Sequence, residues 1–234
     1  MAVERKARSI ALLERCAETT GAYAAVAARL ARRLEPQAQR SGRPLRRDTA
    51  KIACNTYASE ISHGPRKLPL FAMKTLYLVR HAKSSWADST TPDRDRPLNE
   101  RGLRDVATMG QRLSLRNVKP DQLLSSPATR ALTTAEHLAK AMGLKRKDIV
   151  VVERLYAASP KDLLAVIEEF GGEAERVMLV AHNPGLTELA HHFARELTHM
   201  PTCAIVELAF AAASWQGIGV AEAMHVAFDS PKQA

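Results

Sequence analysis

Residues 75–86 read TLYLVRHAKSSW, and this stretch decides the fold. Leu76 to Val79 form an apolar, β-favourable run that stops abruptly at Arg80-His81. A run so short, with a polar stop, reads as a buried strand. Its carboxyl end presents a guanidinium and an imidazole together. In open α/β sheets, ligands bind in the crevice at the carboxyl ends of the strands. The stretch therefore raises one question: what else gathers around His81.

From Met73 onward the pattern alternates between strands and helices. A polar loop over 82–98 closes with DRPL, and Asn99 sits where a helix N-cap belongs. Leu103, Val106, Ala107, Gly110 and Leu113 follow at helical spacing. QLLSS (122–126) reads as a second strand. Ser126-Pro127 reads as a cap with proline at the first helical position, opening a helix that Gly143 ends. DIVVVE (148–153) reads as a third strand, and Ser159-Pro160 opens a helix stopped by Gly171-Gly172. VMLVAH (177–182) is an apolar strand that also ends in histidine, and a helix over about 186–197 follows. CAIVELAF (203–210) and a weaker segment around 218–228 read as late strands near a sheet edge. The alternation predicts an α/β protein: a three-layer α/β/α sandwich with a mostly parallel central sheet and helices on both faces.

Charge divides the chain differently. Residues 1–72 hold 14 Lys/Arg against 6 Asp/Glu, a net of +8, whereas the remainder holds 20 against 19. The expected organisation is a basic, Arg/Ala-rich N-terminal extension over 1–72 and one domain over 73–234. The extension could form one or two helices over 3–34. It reads either as a basic arm, as a poorly ordered extension, or as sequence upstream of a start at Met73. It carries no nucleic-acid module signature, so a nucleic-acid partner is not expected. Cys16, Cys54 and Cys203 are widely spaced and odd in number, which argues against a disulfide framework or a structural zinc site and for a reducing cytoplasm. No apolar run approaches a membrane span, and Glu14, Arg15 and Glu18 interrupt any signal-peptide core.

The strand pattern gives three basic positions one address. His81 follows the first strand, Arg130 lies in the first turns of the helix after QLLSS, and His182 follows the VMLVA strand. With Arg80 they place two guanidiniums and two imidazoles at one sheet edge. Such a cluster repels itself unless an anion sits in it. Arginine's planar donor pairs fit phosphate oxygens, and a helix N-terminus on the same side adds N–H groups. A phosphoryl group has enough oxygens to engage four such groups. Phosphoryl transfer then needs a nucleophile, for which a neutral His81 beside Arg80 qualifies. It also needs a proton donor, and Glu153 at the end of the third strand is the candidate.

Arg80-His81-Ala82 resembles the Arg-His-Gly signature of the histidine phosphatase superfamily, the phosphoglycerate mutase-like group. LYLVRHAKSSW, DRPLNERG, SSPATRA, ERLYAASPKDL and LVAHNPG resemble the short SixA-like phosphohistidine phosphatases more closely, in the expected order, over about residues 73–231. The resemblance implies that His81 becomes a transient phosphohistidine and that Arg80, Arg130 and His182 bind the phosphoryl group and stabilise its charge. It implies no metal and no cofactor. Ala82 departs from the usual glycine. Glu153 matches a mutase-type acid through its spacing to Tyr156, with Asp88 and Asp93 in reserve.

Plainer readings compete at other positions. His191-His192 with Glu196 lacks the H-E-x-x-H spacing of a metal site. Glu153 could equally be an exposed strand-end residue. Trp86 and Lys83 either line a substrate entrance or pack the loop. Only 51 residues separate Arg130 from His182, which leaves little room for the long lids of mutases. The expected activity is a metal-independent phosphatase acting on a phosphohistidine-bearing protein. The alternatives are a small-molecule phosphomonoesterase and a non-catalytic phosphate-binding module.

Overall fold

The computed structural model describes residues 72–233. The N-terminal extension and its expected helices lie outside the described residues.

The chain runs through β1 (Met73–Arg80), α1 (Glu100–Leu115), β2 (Gln122–Ser125), α2 (Thr129–Ala141), β3 (Ile149–Val151), α3 (Pro160–Gly171), β4 (Arg176–Ala181), α4 (Gly185–Phe193), β5 (Ile205–Ala211) and β6 (His225–Asp229). The strands form one six-stranded sheet in the order β3-β2-β4-β1-β5-β6. β1 to β4 are mutually parallel, and β5 runs antiparallel to both β1 and β6. The mostly parallel sheet is therefore as expected, with β5 turning the chain back at one side.

Alternation along β1 shows why the sheet is covered on both faces. Leu76 and Leu78 point into one core, which α3 and α4 cover with Leu163, Val166, Ile167, Leu186 and Leu189. Tyr77 and Val79 point into the other, which α1 and α2 cover with Val106, Met109, Leu113, Ala135 and Leu138. Strands buried on both faces read as unbroken apolar runs, as 76–79 and 177–181 do. No helix among the described residues is long and apolar enough to cross a membrane.

Several boundaries differ from the sequence reading, each for a local reason. Ser126 does not cap α2, which begins at Thr129 behind Ala128. Its N–H still extends the sheet to Val180 O, and its hydroxyl is engaged by His182. The third strand shrinks to three residues because 3₁₀ turns at Arg146–Asp148 and Glu153–Leu155 flank it. α4 stops at Phe193 because Ala194 turns extended. The segment around 218–228 splits into a 3₁₀ turn at Ile218–Val220 and the strand β6. Two caps follow the sequence closely. Asn99 accepts from Gly102 N at 2.8 Å, and Ser159 forms a reciprocal capping box with Asp162.

Candidate active site

β1 and β4 are adjacent and in register, with Arg80 opposite Ala181. The residues that follow each strand, His81 and His182, are therefore delivered to the same sheet edge. Their ring centroids lie 5.0 Å apart. The shared address expected from the sequence is real.

The backbone around His81 is tied down on every side. Arg80 N–H donates to Ala204 O at 3.0 Å, and His81 N–H to Ala181 O at 3.1 Å. Cys203 N–H lies 3.1 Å from the carbonyls of both Arg80 and His81. Cys203 adopts φ of +63°, a left-handed conformation that aims its N–H back at the signature. Ala82 N–H donates to Thr134 Oγ1 at 3.0 Å, and Thr134 in turn donates to Arg130 O at 2.6 Å. One hydroxyl thus couples the signature loop to the helix turn that carries Arg130.

The tautomer of His81 follows from its partner. Nδ1 lies 2.8 Å from Ala82 O, and a carbonyl oxygen can only accept. Nδ1 therefore carries the hydrogen, and Nε2 keeps its lone pair. Burial, helped by Arg130, Arg80 and Arg96, pushes the His81 pKa down to about 4, against a smaller opposing pull from Ala82 O. Burial, then His81 and Arg130, pushes His182 down to about 3. Both rings are neutral near pH 7. The expected self-repulsion is thus relieved partly by keeping the imidazoles uncharged.

His182 Nε2 meets Ser126 Oγ at 2.8 Å, while its buried Nδ1 has no partner among the described residues. A buried ring nitrogen with no partner in its own chain is a ready contact for a ligand oxygen. Arg80 is similar: Nη1 donates to Met200 O at 2.8 Å, and its buried Nε is unpaired. Burial lowers the Arg80 pKa from its usual value.

Arg130 is buried in the first turn of α2, and both of its terminal nitrogens go to Asp93. Nη2 donates to Oδ2 at 2.9 Å, and Nη1 donates to the Asp93 backbone carbonyl. Tyr156 OH donates to the same Oδ2 at 2.9 Å, and Arg96 Nη1 donates to Oδ1 at 2.9 Å. Partial burial raises the Asp93 pKa, but these donors outweigh it and hold the carboxyl below its usual range.

The candidate acids separate. Glu153 does not end the third strand as read from sequence; it opens the 3₁₀ turn two residues later, and its side chain is 70 % exposed. Both of its oxygens accept from Arg94 Nη2, at 2.8 and 2.9 Å. Asp88 is exposed, and its carboxylate closes its own turn onto Thr90 and Thr91, which push its pKa down to about 2. Asp93 alone of the three is joined to Arg130.

Sequence reasoning missed Ser126, Thr134 and Arg96. Thr134 stands one helical turn after Arg130, a spacing that marks one helix face but not a partner. Arg96, buried within DRPL, donates from Nε to Ser85 O and from Nη2 to Ser84 Oγ, and its guanidinium lies 3.2 Å over the Trp86 ring. Trp86 therefore does stack inside its loop, although 72 % of it is exposed. His191, His192 and Glu196 form no metal cluster among the described residues; His192 Nε2 meets Gly219 O at 2.6 Å.

Taken together, the molecule is an α/β protein with a neutral imidazole pair and two arginines at the carboxyl edge of its parallel strands, a set of donors suited to an anion beside a ring nitrogen with a free lone pair. Residues 76–157 match the model of the histidine phosphatase superfamily (branch 1), and the chain belongs to that superfamily. An uncharacterized chloroplastic protein of Arabidopsis thaliana is 30% identical over 151 residues, covering 61% of this chain and 69% of the relative. Among solved structures, the Agrobacterium tumefaciens protein assigned as the phosphohistidine phosphatase SixA is 32% identical. It covers 58% of this chain and 90% of its own, with a TM-score of 0.53. A second SixA assignment, from Nakamurella multipartitia, shares the fold at 24% identity and a TM-score of 0.56, over 66% of this chain and 95% of its own.

Proposed function

We propose that the protein hydrolyses phosphorylated substrates through a phosphohistidine on His81, with a phosphohistidine-bearing protein domain as the preferred substrate. The observation that carries the reading is the state of His81. Its Nδ1–H is fixed on Ala82 O, and its free Nε2 is kept unprotonated beside Arg80 and Arg130.

In the proposed reaction, Nε2 attacks phosphorus as the bond to the leaving oxygen or nitrogen breaks. Arg80, Arg130 and the unpaired Nδ1 of His182 take the developing charge on the phosphoryl oxygens. Glu153, released from Arg94 and carrying a proton, gives it to the leaving atom and then regains one from the water that hydrolyses the phosphohistidine. Phosphate departs and neutral His81 is restored. No step calls on a metal or cofactor.

A protein substrate is supported by the likeness to the SixA assignment and by the use of the chain between Arg130 and His182. That segment is spent on α2, β3, α3 and β4, all belonging to the sandwich, so it supplies no lid over the sheet edge.

The test is hydrolysis, by the full chain and its His81→Ala variant without added metal, of a phosphohistidine-bearing domain beside a panel of phosphomonoesters. The expected result is preference for the protein domain and a loss on the order of 10⁴-fold in the variant. Turnover of small esters alone keeps the mechanism and removes the protein partner. An active variant, or no turnover of anything, removes the catalytic reading in favour of a binding module. Glu153→Gln should lower kcat by about 10²-fold on alkyl phosphates and by less on phosphohistidine, whose leaving nitrogen needs less help but whose enzyme intermediate still needs the base.

A further inference from the structure

The Asp93 carboxylate sits among the donors that a phosphoryl group would use. Arg130, Tyr156 and Arg96 all converge on it at 2.9 Å, and Arg130 also takes its backbone carbonyl. We propose that Asp93 is a specificity-determining residue: a built-in anion that a substrate must displace from Arg130, and that only a phosphoryl group displaces well. The proposal rests on the phosphatase reading of the same site.

The geometry explains the selectivity. Asp93 meets Arg130 with one carboxylate oxygen and its own backbone carbonyl. A carboxylate ligand confined to Arg130 would trade one charged contact for another of the same kind and gain little. A tetrahedral phosphoryl group offers three oxygens. It can take Arg130 and reach Arg80 and the unpartnered Nδ1 of His182 at once, contacts that Asp93 does not make.

Asp93 is suited to being displaced. It lies in a three-residue 3₁₀ turn, Asp93–Asp95, whose preceding residue makes no side-chain cap. Its own side chain is 53% exposed, whereas that of Arg130 is 9% exposed. The carboxylate can swing to water while the guanidinium stays. Displacing Asp93 carries a cost that a phosphoryl group offsets through its further contacts with Arg80 and His182, and that a ligand confined to Arg130 does not.

The test is calorimetric titration of the full chain with inorganic phosphate, for the native protein, Asp93→Asn and Asp93→Ala. Asp88→Asn, on the same loop, measures the bulk effect of losing one negative charge. Acetate is added as the competing carboxylate. We expect both Asp93 variants to bind phosphate about three- to fivefold more tightly, the upper range of a partly exposed ion pair. Asp88→Asn should change affinity less than twofold. Acetate should displace phosphate from the Asp93 variants at concentrations that leave the native protein unaffected.

If the native protein binds phosphate and neither Asp93 variant binds it more tightly, the proposal falls alone: Asp93 then positions Arg130, and the phosphatase reading stands. If the folded native protein binds no phosphate, the anion site itself is wrong and both readings fall together.

Discussion

His81 and His182 stand at the ends of paired strands, while Asp93, Arg94 and Glu153 stand on 3₁₀ turns, and the two groups are held in different ways. The histidines are placed by backbone: adjacent strands in register, then hydrogen bonds from the signature to Ala181 O and Ala204 O and back to it from Cys203 N–H. The acids are placed by side-chain ion pairs and are themselves more than half exposed. Ladder bonds in a buried sheet move little, whereas an exposed pair contributes only about 0–1 kcal/mol and exchanges with solvent ions. The histidine side of the site is rigid, and the side that carries the acids is adjustable.

That contrast can be broken most forcefully with pH. Both imidazoles have folded pKa values depressed below the ordinary 6.5, to about 4 and about 3. The sign is set by proton uptake: below pH 6.5 the unfolded chain takes up protons that the folded chain refuses. The stability they contribute is full above pH 6.5 and is lost as pH falls toward 4, on the order of several kcal/mol together. Denaturant titrations from pH 7.5 to 4 should show this loss, and a His81→Asn, His182→Asn double variant should flatten it. A native curve already flat across that window would mean that the rings are not buried neutral.

A smaller effect is expected at the loop that carries the signature. A Cβ on Gly102 would lie 2.1 Å from Lys83 O, a backbone atom that cannot step aside cheaply. Gly102→Ala should cost about 1–3 kcal/mol by overpacking, read as a lowered Tm. An unchanged Tm would show that this loop yields as readily as the exposed acids.

Ser126→Ala sharpens the comparison further. It leaves His182 Nε2 buried without its 2.8 Å partner, at a cost of about 1–2 kcal/mol. It should also lower kcat about tenfold with a smaller change in KM, because a ring freed to turn misplaces its other nitrogen. Loss of stability with no change in kcat would make Ser126 structural only.

The smallest effect belongs to Arg94→Ala, which removes the exposed pair with Glu153. Stability should change by less than about 1 kcal/mol. A loss of several kcal/mol would erase the distinction between the two sides of the site.

The sheet and its edge were legible in the sequence because they obey short-range rules. A buried parallel strand must be apolar along its whole length, as 76–79 and 177–181 are, and its end is marked by the first charged residue. That logic was enough to bring Arg80, His81, Arg130 and His182 to one place and to seat Asn99 and Ser159 as caps. What the sequence could not settle is which side chain touches which across the site. Ser126 read as a cap and became the partner of His182. Glu153 read as a strand-end acid, yet it lies on a turn against Arg94. Asp93, one of two reserves, holds Arg130. These outcomes depend on loop paths in three dimensions, where residues 93 and 130, or 126 and 182, are distant along the chain and close only after the sheet has formed. Periodicity and spacing describe neighbours within an element, and hydrogen-bond partners between elements are chosen by the packing that follows.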